Sequence, residues 1–210
     1  MKRNVLTTCF ALVLAIPLLA QAPKGWLMRV DRSASASDPD APGVIKFAAA
    51  GSGFHAMNPQ AAVFWNPANT VSGTYSLKGT FTLLRPSSHT NYYGLVFGGS
   101  GLDGPGQSYL YFMVGQDGSW LLKRRDGDAS TRDVAGRLPN AAVKRLDATG
   151  KSTNALEVRV AADKIDLLVN GAVVQTMPKT GLTAKTDGVY GIRVNHQLDV
   201  QIDAFGVSAP

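Results

Sequence analysis

Aromatic and basic side chains suited to ligand binding are concentrated between residues 92 and 126 of the chain. The segments YYGLVFG, SYLYFMVG and SWLLKRRD fall in this stretch, with a glycine-rich segment between the first two. Aromatic rings offer an apolar face on which a sugar can stack, and lysine and arginine donate hydrogen bonds to hydroxyl or acidic groups. The stretch therefore indicates a carbohydrate-binding surface, although the same tyrosines would also suit a second buried apolar layer.

The residue sets that most hydrolases use are missing from the sequence. Glycoside hydrolysis normally requires two carboxylates at a defined separation, and the chain contains a single glutamate, Glu157. Arg159 lies two residues later on the same strand face, so we expect a surface ion pair between them. No Gly-x-Ser-x-Gly nucleophile motif occurs either. Catalysis through aspartate and histidine stays open as an alternative.

Metal binding is not predicted from the spacing of the candidate ligands. His55, His89 and His196 are scattered, and a zinc site would require them to converge in space with a carboxylate. We expect His196 to be a surface residue in a hairpin loop. Asp126 and Asp128 favour a turn, with calcium binding there as an alternative. No cofactor is expected otherwise.

The amino terminus has the features of a secretory signal peptide. Lys2 and Arg3 precede an apolar run at residues 10–19, and Ala20-Gln21-Ala22 supplies a small-residue cleavage site. The run is too short for a transmembrane helix, and no later segment approaches the required length. We therefore predict a signal peptide at residues 1–22, a single domain at residues 23–210, and a secreted or periplasmic protein without a transmembrane segment.

The composition of the chain argues against disulfide bonds, thiolate metal sites and nucleic-acid binding. The only cysteine, Cys9, falls within the predicted signal peptide, so the mature chain would have neither disulfides nor thiolate metal sites. Without Lys2 and Arg3 the chain has 19 basic and 15 acidic residues, a net charge of +4. This excess is scattered rather than gathered into a stripe or recognition helix, so nucleic acid is not an expected partner.

Residues 109–114 and 120–125 form the central hairpin of the predicted fold. Both are rich in the aromatic and branched residues typical of strands. Gln116-Asp117-Gly118 fits a three-residue hairpin loop with Gly118 in the left-handed conformation. The resulting register pairs Val114 with Trp120, Phe112 with Leu122, and Leu110 with Arg124.

Directly opposed residues share one face of a hairpin. The paired residues form a predicted core face, and the opposite face holds the tyrosines with Lys123 and Arg125. Alternation adds Tyr92 from the preceding strand, where Gly94 would leave room for a ligand to approach the backbone, and Arg193 from a strand near the carboxyl terminus. The candidate ligand-binding residues are Tyr92, Tyr109, Tyr111, Lys123, Arg125 and Arg193.

Short strands with regular turn signals occupy the rest of the chain. Residues 74–84 alternate between apolar and polar side chains, as expected for a half-buried antiparallel strand. Asn66-Pro67 predicts a turn, and Asn170-Gly171 predicts a two-residue type I′ hairpin. Residues 188–194 and 199–208 are predicted to form a last hairpin. The fold class is therefore all-β, an antiparallel β-sandwich or jelly roll.

The order of SGTYSLKGTF, YYGLVFGG, YLYFMVGQDGSWLLKRR, LEVRVAADKIDLLVNGAVV and GVYGIRVNHQLDVQIDAFGV resembles the concanavalin A-like lectin/glucanase superfamily. Its laminin G-like and 3-keto-disaccharide hydrolase-like branches are the most similar, over residues 75–207. The resemblance implies a jelly roll whose sheet commonly binds carbohydrate and sometimes protein. The glutamate pair of the superfamily's glucanases is absent.

Three hypotheses follow. The first is a secreted, non-catalytic carbohydrate-binding protein that recognises a carbohydrate or cell-envelope glycan. The second is a sugar-acting hydrolase or lyase of the 3-keto-disaccharide hydrolase-like type. The third is an envelope scaffold or adhesion domain that recognises protein.

Overall fold

The computed structural model of the chain describes residues 22–33 and 35–209, which form two seven-stranded antiparallel sheets. Nearly all of the predicted signal peptide, including Cys9, lies outside the described residues. Within those ranges, no helix combines the length and the apolar character that crossing a bilayer requires.

The two sheets contain fourteen strands among the described residues. The strands are β1 (Leu27–Asp31), β2 (Lys46–Ala50), β3 (Gly53–Asn58), β4 (Ala61–Val71), β5 (Tyr75–Arg85), β6 (Tyr92–Ser100), β7 (Ser108–Gly115), β8 (Ser119–Asp126), β9 (Ser130–Pro139), β10 (Ser152–Val160), β11 (Lys164–Val169), β12 (Ala172–Pro178), β13 (Gly188–Val194) and β14 (Leu198–Ser208). The first sheet has the order β1-β4-β13-β6-β7-β8-β9, and the second has the order β12-β11-β10-β5-β14-β3-β2. A single 3-10 turn, Gly181–Thr183, precedes β13.

The main core lies between the sheets and follows the alternation of the strands. The apolar residues of β5 are buried against the apolar face of the first sheet, as predicted. Glu157 and Arg159 point away from the core and form the expected ion pair, with Arg159 Nε 2.7 Å from Glu157 Oε1. The predicted antiparallel β-sandwich is confirmed.

The two hairpins that were predicted from their turn residues are confirmed. Gly118 has φ +86°, and the β7–β8 register pairs Val114 with Trp120 as predicted. Asn170 and Gly171 both have positive φ, 51° and 85°, between β11 and β12. A two-residue turn with both central residues in this region is type I′.

The turn predicted at Asn66-Pro67 is wrong, because β4 continues through both residues. In the pairing of β4 with β13, Gly191 is opposite Trp65, but Val189 is opposite Thr70. The register therefore shifts between these two pairs. Pro67 therefore lies in an irregularity of the ladder, where its missing N–H is tolerated.

The last predicted hairpin is also wrong. β13 belongs to the first sheet and β14 to the second, so residues 195–197 cross between the sheets at one end of the sandwich. His196 is consequently not a surface loop residue, since only 6% of its side chain is exposed. The sequence analysis also missed β9, an edge strand whose side chains are half-buried or exposed.

Candidate functional site

The outer face of the first sheet, which points away from the second sheet, holds the predicted ligand-binding residues. On β7, Leu110 and Phe112 enter the main core, so Tyr109 and Tyr111 project from the opposite face. A second apolar cluster forms on that face. Its buried members are Val63, Trp65, Val96, Leu102, Tyr109, Tyr111, Met113 and Leu121.

Tyr109 and Tyr111 are buried, which corrects their expected role. Tyr109 has no exposed surface and Tyr111 is 4% exposed. Leu102 from the glycine-rich connection packs in the same cluster, and Arg29 donates a hydrogen bond to the carbonyl of Gly104 at 2.9 Å. A ring must expose a face to stack on a sugar, so neither tyrosine can serve as the predicted stacking platform. Tyr111 instead contributes to the floor of the site.

Gly94 also differs from expectation. A Cβ at this residue would lie 2.2 Å from the carbonyl oxygen of Phe112 and 2.8 Å from Cα of Met113. The neighbouring strand therefore occupies the space that the sequence analysis assigned to a ligand. Tyr92 is half-buried, and its hydroxyl lies 2.9 Å from Ser119 Oγ.

A buried ion pair between Arg193 and Asp31 is the electrostatic centre of this face. Arg193 Nη1 donates to Asp31 Oδ2 and, at 2.9 Å, to the hydroxyl of Tyr109. The guanidinium carbon also lies 4.9 Å from the ring centroid of Tyr111, a cation–π contact. Arg125 Nη2 lies 3.8 Å from Asp31 Oδ1.

The ionisation of these groups follows from their surroundings. Burial alone would raise the pKa of Asp31, but Arg193, followed by Arg125 and Arg29, holds it below its usual value. Burial would likewise lower the pKa of Arg193, yet Tyr109 and Asp31 raise it above that of a free guanidinium. Burial raises the pKa of Tyr109 to about 12. The pair is therefore charged and the phenol neutral near pH 7.

Lys123 and Arg125 border the same face from β8. Lys123 Nζ lies 3.0 Å from Asp133 Oδ1, and 16% of the lysine side chain is exposed. Arg125 donates to Thr131 Oγ1 at 3.1 Å and to the carbonyl of Asp128. Both cations are thus oriented by β9 and by the loop that precedes it.

Two adjacent depressions, which share Arg193 and Asn195 in their linings, open over this network. The first, called the outer-face cleft here, has a volume of about 210 Å³ and is lined in part by Asp31, Asp38, Asn91, Arg125, Arg193 and Asn195. The second, of about 150 Å³, is lined by Arg193 and Asn195 again, with Tyr111, Met113, Leu121 and Lys123. The structure thus brings four predicted residues to one place, namely Tyr111, Lys123, Arg125 and Arg193.

Unpartnered polar atoms are concentrated in the cleft. Six buried side-chain nitrogen or oxygen atoms have no hydrogen-bond partner among the described residues. Four of them belong to cleft residues: Nε of Arg125, Nε of Arg193, Oδ1 of Asn195 and Oδ1 of Asp38. Because buried polar groups in proteins are nearly always hydrogen-bonded, this concentration makes the cleft a candidate site for a polar ligand.

A larger cavity lies elsewhere. It measures about 480 Å³, and its lining includes Pro42, Val44, Arg85 and Pro86. Only one unpartnered buried side-chain atom, Oδ1 of Asn58, belongs to its lining. We regard the smaller outer-face cleft as the functional candidate because its polar atoms converge.

A histidine pair at the edge of the cleft was not predicted. His89 and His196 approach each other at 3.2 Å between their Nε2 atoms. Asp38 Oδ1 lies 2.7 Å from His89 Nε2 and 3.0 Å from His196 Nε2, although it is hydrogen-bonded to neither. The Nδ1 atom of His196 lies 3.0 Å from Asp40 Oδ1. Asp38, His89 and His196 form a group, among the residues that the structure describes, that could hold a metal ion.

The loop considered for calcium has its carboxylates engaged. Asp126 Oδ1 accepts hydrogen bonds from Ser108 Oγ at 2.7 Å and Arg124 Nε at 3.0 Å. Asp128 pairs with Arg29. A cation at this loop would have to displace both guanidinium groups, so the geometry does not favour calcium there.

No protein-family model matches the chain, and no curated protein matches it in sequence. Solved structures do match. The carbohydrate-binding module CBM66 from Bacillus subtilis is 10% identical, with a TM-score of 0.62 over 88% of this chain and 96% of that one. The Emp46p carbohydrate recognition domain, in its metal-free form, is 13% identical, with a TM-score of 0.54 over 87% of each chain. The chain has the concanavalin A-like lectin/glucanase fold.

A third structure with this concanavalin A-like fold is a GH16 protein of the mixed-linkage glucan locus of Bacteroides ovatus, solved with a G4G4G3G product. It is 8% identical, with a TM-score of 0.55 over 91% of this chain and 97% of that one. These identities show the fold alone. The superfamily resemblance inferred from the sequence is confirmed at that level.

Several residues of the site escaped the sequence analysis. Asp31 and Asn195 could have been found by extending strand alternation, because Asp31 ends β1, Asn195 directly follows β13, and both strands flank β4. Asp38 and Asn91 lie in loops and carry no periodic signal. Their positions depend on contacts with chain segments far away in sequence.

Proposed function

We propose that this protein is a non-catalytic carbohydrate-binding protein that holds part of a glycan in the outer-face cleft. The observation that carries the proposal is the set of four unpartnered buried atoms. Arg125 and Arg193 each contribute an unused Nε–H donor, and Asn195 contributes an unused acceptor oxygen, while the fourth atom, Asp38 Oδ1, faces the two histidines. A sugar hydroxyl both donates and accepts, so neighbouring hydroxyls of one sugar could satisfy both kinds of atom.

The dimensions of the site favour a short portion of a glycan. The two adjacent depressions together amount to about 360 Å³, at the lower end of the range for small-ligand sites. We infer that the cleft takes a chain end or a branch. The rest of the glycan would extend past Lys123 and the half-buried Tyr92.

The charged side chains that line the cleft indicate which kinds of sugar it could bind. Arg32, Arg125 and Arg193 contribute three cations to the cleft, and Asp31 and Asp38 contribute two anions. Asp31 is already bound to Arg193, while Arg125 keeps an unpartnered Nε. We therefore include acidic as well as neutral sugars among the candidate ligands.

Two of the similar structures are a carbohydrate-binding module and a carbohydrate recognition domain, which supports this proposal. A hydrolase would need two carboxylates free to act on substrate. Asp31 and Asp38 both line the cleft, but Arg193 holds Asp31 as a buried, ionised partner. This geometry favours glycan binding without hydrolysis. We further propose export to the periplasm or the exterior, where glycans are accessible.

The test is binding of the purified protein to an array of neutral and acidic glycans, followed by titration of the best ligand. Arg125→Met removes one cleft donor and should weaken binding about 10-fold or more, because a hydrogen bond to a charged group contributes about 1.5–3 kcal/mol. Arg159→Met, on the outer face of the second sheet, is the matched control and should bind normally. Tyr111→Ala tests the floor of the site.

Equal affinities of the Arg125→Met and Arg159→Met proteins would remove this cleft from consideration. Release of sugar products in the same panel, abolished by Asp38→Asn, would favour the hydrolase instead. Failure of every glycan combined with capture of a protein ligand would favour the recognition scaffold.

A further inference from the structure

Three long-range connections meet at one end of the sandwich and bring Asp38, His89 and His196 together. Asp38 lies in the connection between β1 and β2, His89 in that between β5 and β6, and His196 in that between β13 and β14. Each of the three residues offers one ligand-capable atom, and these three atoms lie within 4.8 Å of one another. The connections belong to strands of both sheets, so the cluster joins the two layers.

The hydrogen bonds around the cluster determine where its lone pairs point. The side-chain amide of Asn91 donates to His89 Nε2 at 2.9 Å, so that ring nitrogen acts as an acceptor. The Nδ1 atom of His196 faces the Asp40 carboxylate at 3.0 Å, and a carboxylate accepts a proton rather than supplying one. In a neutral His196 ring the other nitrogen, Nε2, then carries a lone pair.

Two imidazole lone pairs and a carboxylate oxygen therefore face a common point. The Nε2 atoms are 3.2 Å apart, and Asp38 Oδ1 is 2.7 and 3.0 Å from them. Three electron-rich atoms at these distances repel one another unless a cation lies between them. Asp38 Oδ1 is buried without a hydrogen bond among the described residues, which agrees with this need.

The spacing suits a small tetrahedral metal ion. Ligands about 2.0–2.2 Å from a tetrahedral zinc ion are roughly 3.3 Å or slightly more from one another. The observed 3.2 and 3.0 Å separations agree with this to about 0.3 Å, and the 2.7 Å contact would open by about 0.6 Å.

We propose that Asp38, His89 and His196 form a binding site for a divalent transition-metal ion, for which zinc is the best match. Imidazole nitrogen is a preferred ligand of zinc, whereas calcium selects oxygen ligands. Asp40 would hold the His196 ring in position through Nδ1, the common arrangement behind a metal-ligating histidine.

The position of the site implies a fourth, open coordination place on the cleft side. Asp38 and His196 both line the outer-face cleft, beside Asn195 with its unpartnered Oδ1. The bound ion would be reachable from that cleft and would tie together the three connections. Metal binding does not require glycan binding, so the two proposals can fail separately.

The test is zinc titration of the untagged, chelator-treated protein, read by competition with a chromogenic chelator. We expect one ion per chain with a Kd of about 1 μM or below. His89→Gln, His196→Gln and Asp38→Asn should each weaken binding about 100-fold, and Asp40→Asn about 10- to 100-fold. His55→Gln is the matched control, because His55 pairs with Asp199 on the second sheet at 2.5 Å and should leave binding unchanged.

Two further readouts separate a metal site from a shared proton. Cobalt(II) added in place of zinc should produce the visible absorption bands of tetrahedral coordination, and His89→Gln should abolish them. Zinc at 100 times its Kd should raise Tm by about 5–10 °C in the parent and in His55→Gln. His89 and Asp38 are 39% and 47% exposed, so their variants should keep the parent circular dichroism spectrum.

Absence of stoichiometric zinc binding would overturn the proposal. Binding that survives His89→Gln and Asp38→Asn would also overturn it. A site that takes calcium in preference to zinc would contradict the assignment of the ligands.

Discussion

Replacement of Arg193 by methionine should strongly destabilise the protein, because it leaves a buried carboxylate without its main partner. Asp31 and Arg193 have side chains that are 9% and 10% exposed. Removing one partner of a buried ion pair costs about 3–5 kcal/mol. Arg125, 3.8 Å from Asp31, partly compensates, and methionine keeps some of the packing volume. We therefore expect the free energy of unfolding to fall by about 3 kcal/mol.

The same reasoning predicts a partial rescue. In Asp31→Asn/Arg193→Met the buried charge is removed together with its partner, so this double variant should be more stable than Arg193→Met by at least about 1 kcal/mol. Urea unfolding at pH 7, followed by tryptophan fluorescence, measures all four members of the cycle. A loss of 3 kcal/mol corresponds to a midpoint shift of about 1–1.5 M urea.

The control is Arg159→Met. Arg159 pairs with Glu157 on the exposed face of the second sheet, so its loss should leave the unfolding midpoint close to that of the parent. If Arg193→Met stayed within about 1 kcal/mol of the parent, or if the effects of the two single changes simply added, the buried pair would not be the electrostatic centre of the site.

Two further predictions concern stability. The depressed pKa of Asp31 means that its contribution is present above its unfolded-state pKa of about 3.9 and is lost as the pH falls through the lower folded-state value. The stability difference between the parent and Asp31→Asn should therefore shrink below about pH 4, and a difference that grows on acidification would contradict the assigned direction. Gly118→Ala should cost about 1–2 kcal/mol, since φ is +86° and a Cβ would lie 2.8 Å from Arg145 Nε. The control is Gly106→Ala, where a Cβ meets no atom within 4 Å; equal thermal midpoints of the two glycine variants would refute the prediction.

Local sequence patterns predicted much of the site's scaffold. The φ of Gly118 and the pairing of Val114 with Trp120 followed from turn chemistry and alternation. The same alternation placed Tyr111, Lys123 and Arg193 on one face. It could not predict their exposure, since strand periodicity assigns a side to each residue but not what covers that side.

The covering layer came from distant segments. Leu102 packs beside Tyr109, and Arg29 anchors the carbonyl of Gly104 across 75 residues of sequence. Because of these contacts, the tyrosine face predicted to stack on a sugar is buried, and polar groups remain only at its edge. Pro67 shows a related effect, because an irregularity in pairing allowed a strand to continue where the dipeptide alone favoured a turn.

By itself, the sequence determined the strand-rich character, the inward and outward sides of the main strands and the tight turns at Gly118 and Asn170-Gly171. These features depend on backbone sterics and on neighbours a few residues apart. Only the tertiary structure decided that His196 faces Asp40, 156 residues away, and that β13 and β14 part into different sheets. Such choices depend on which distant surfaces pack together, because the free energy of burial is shared among segments that no local pattern connects.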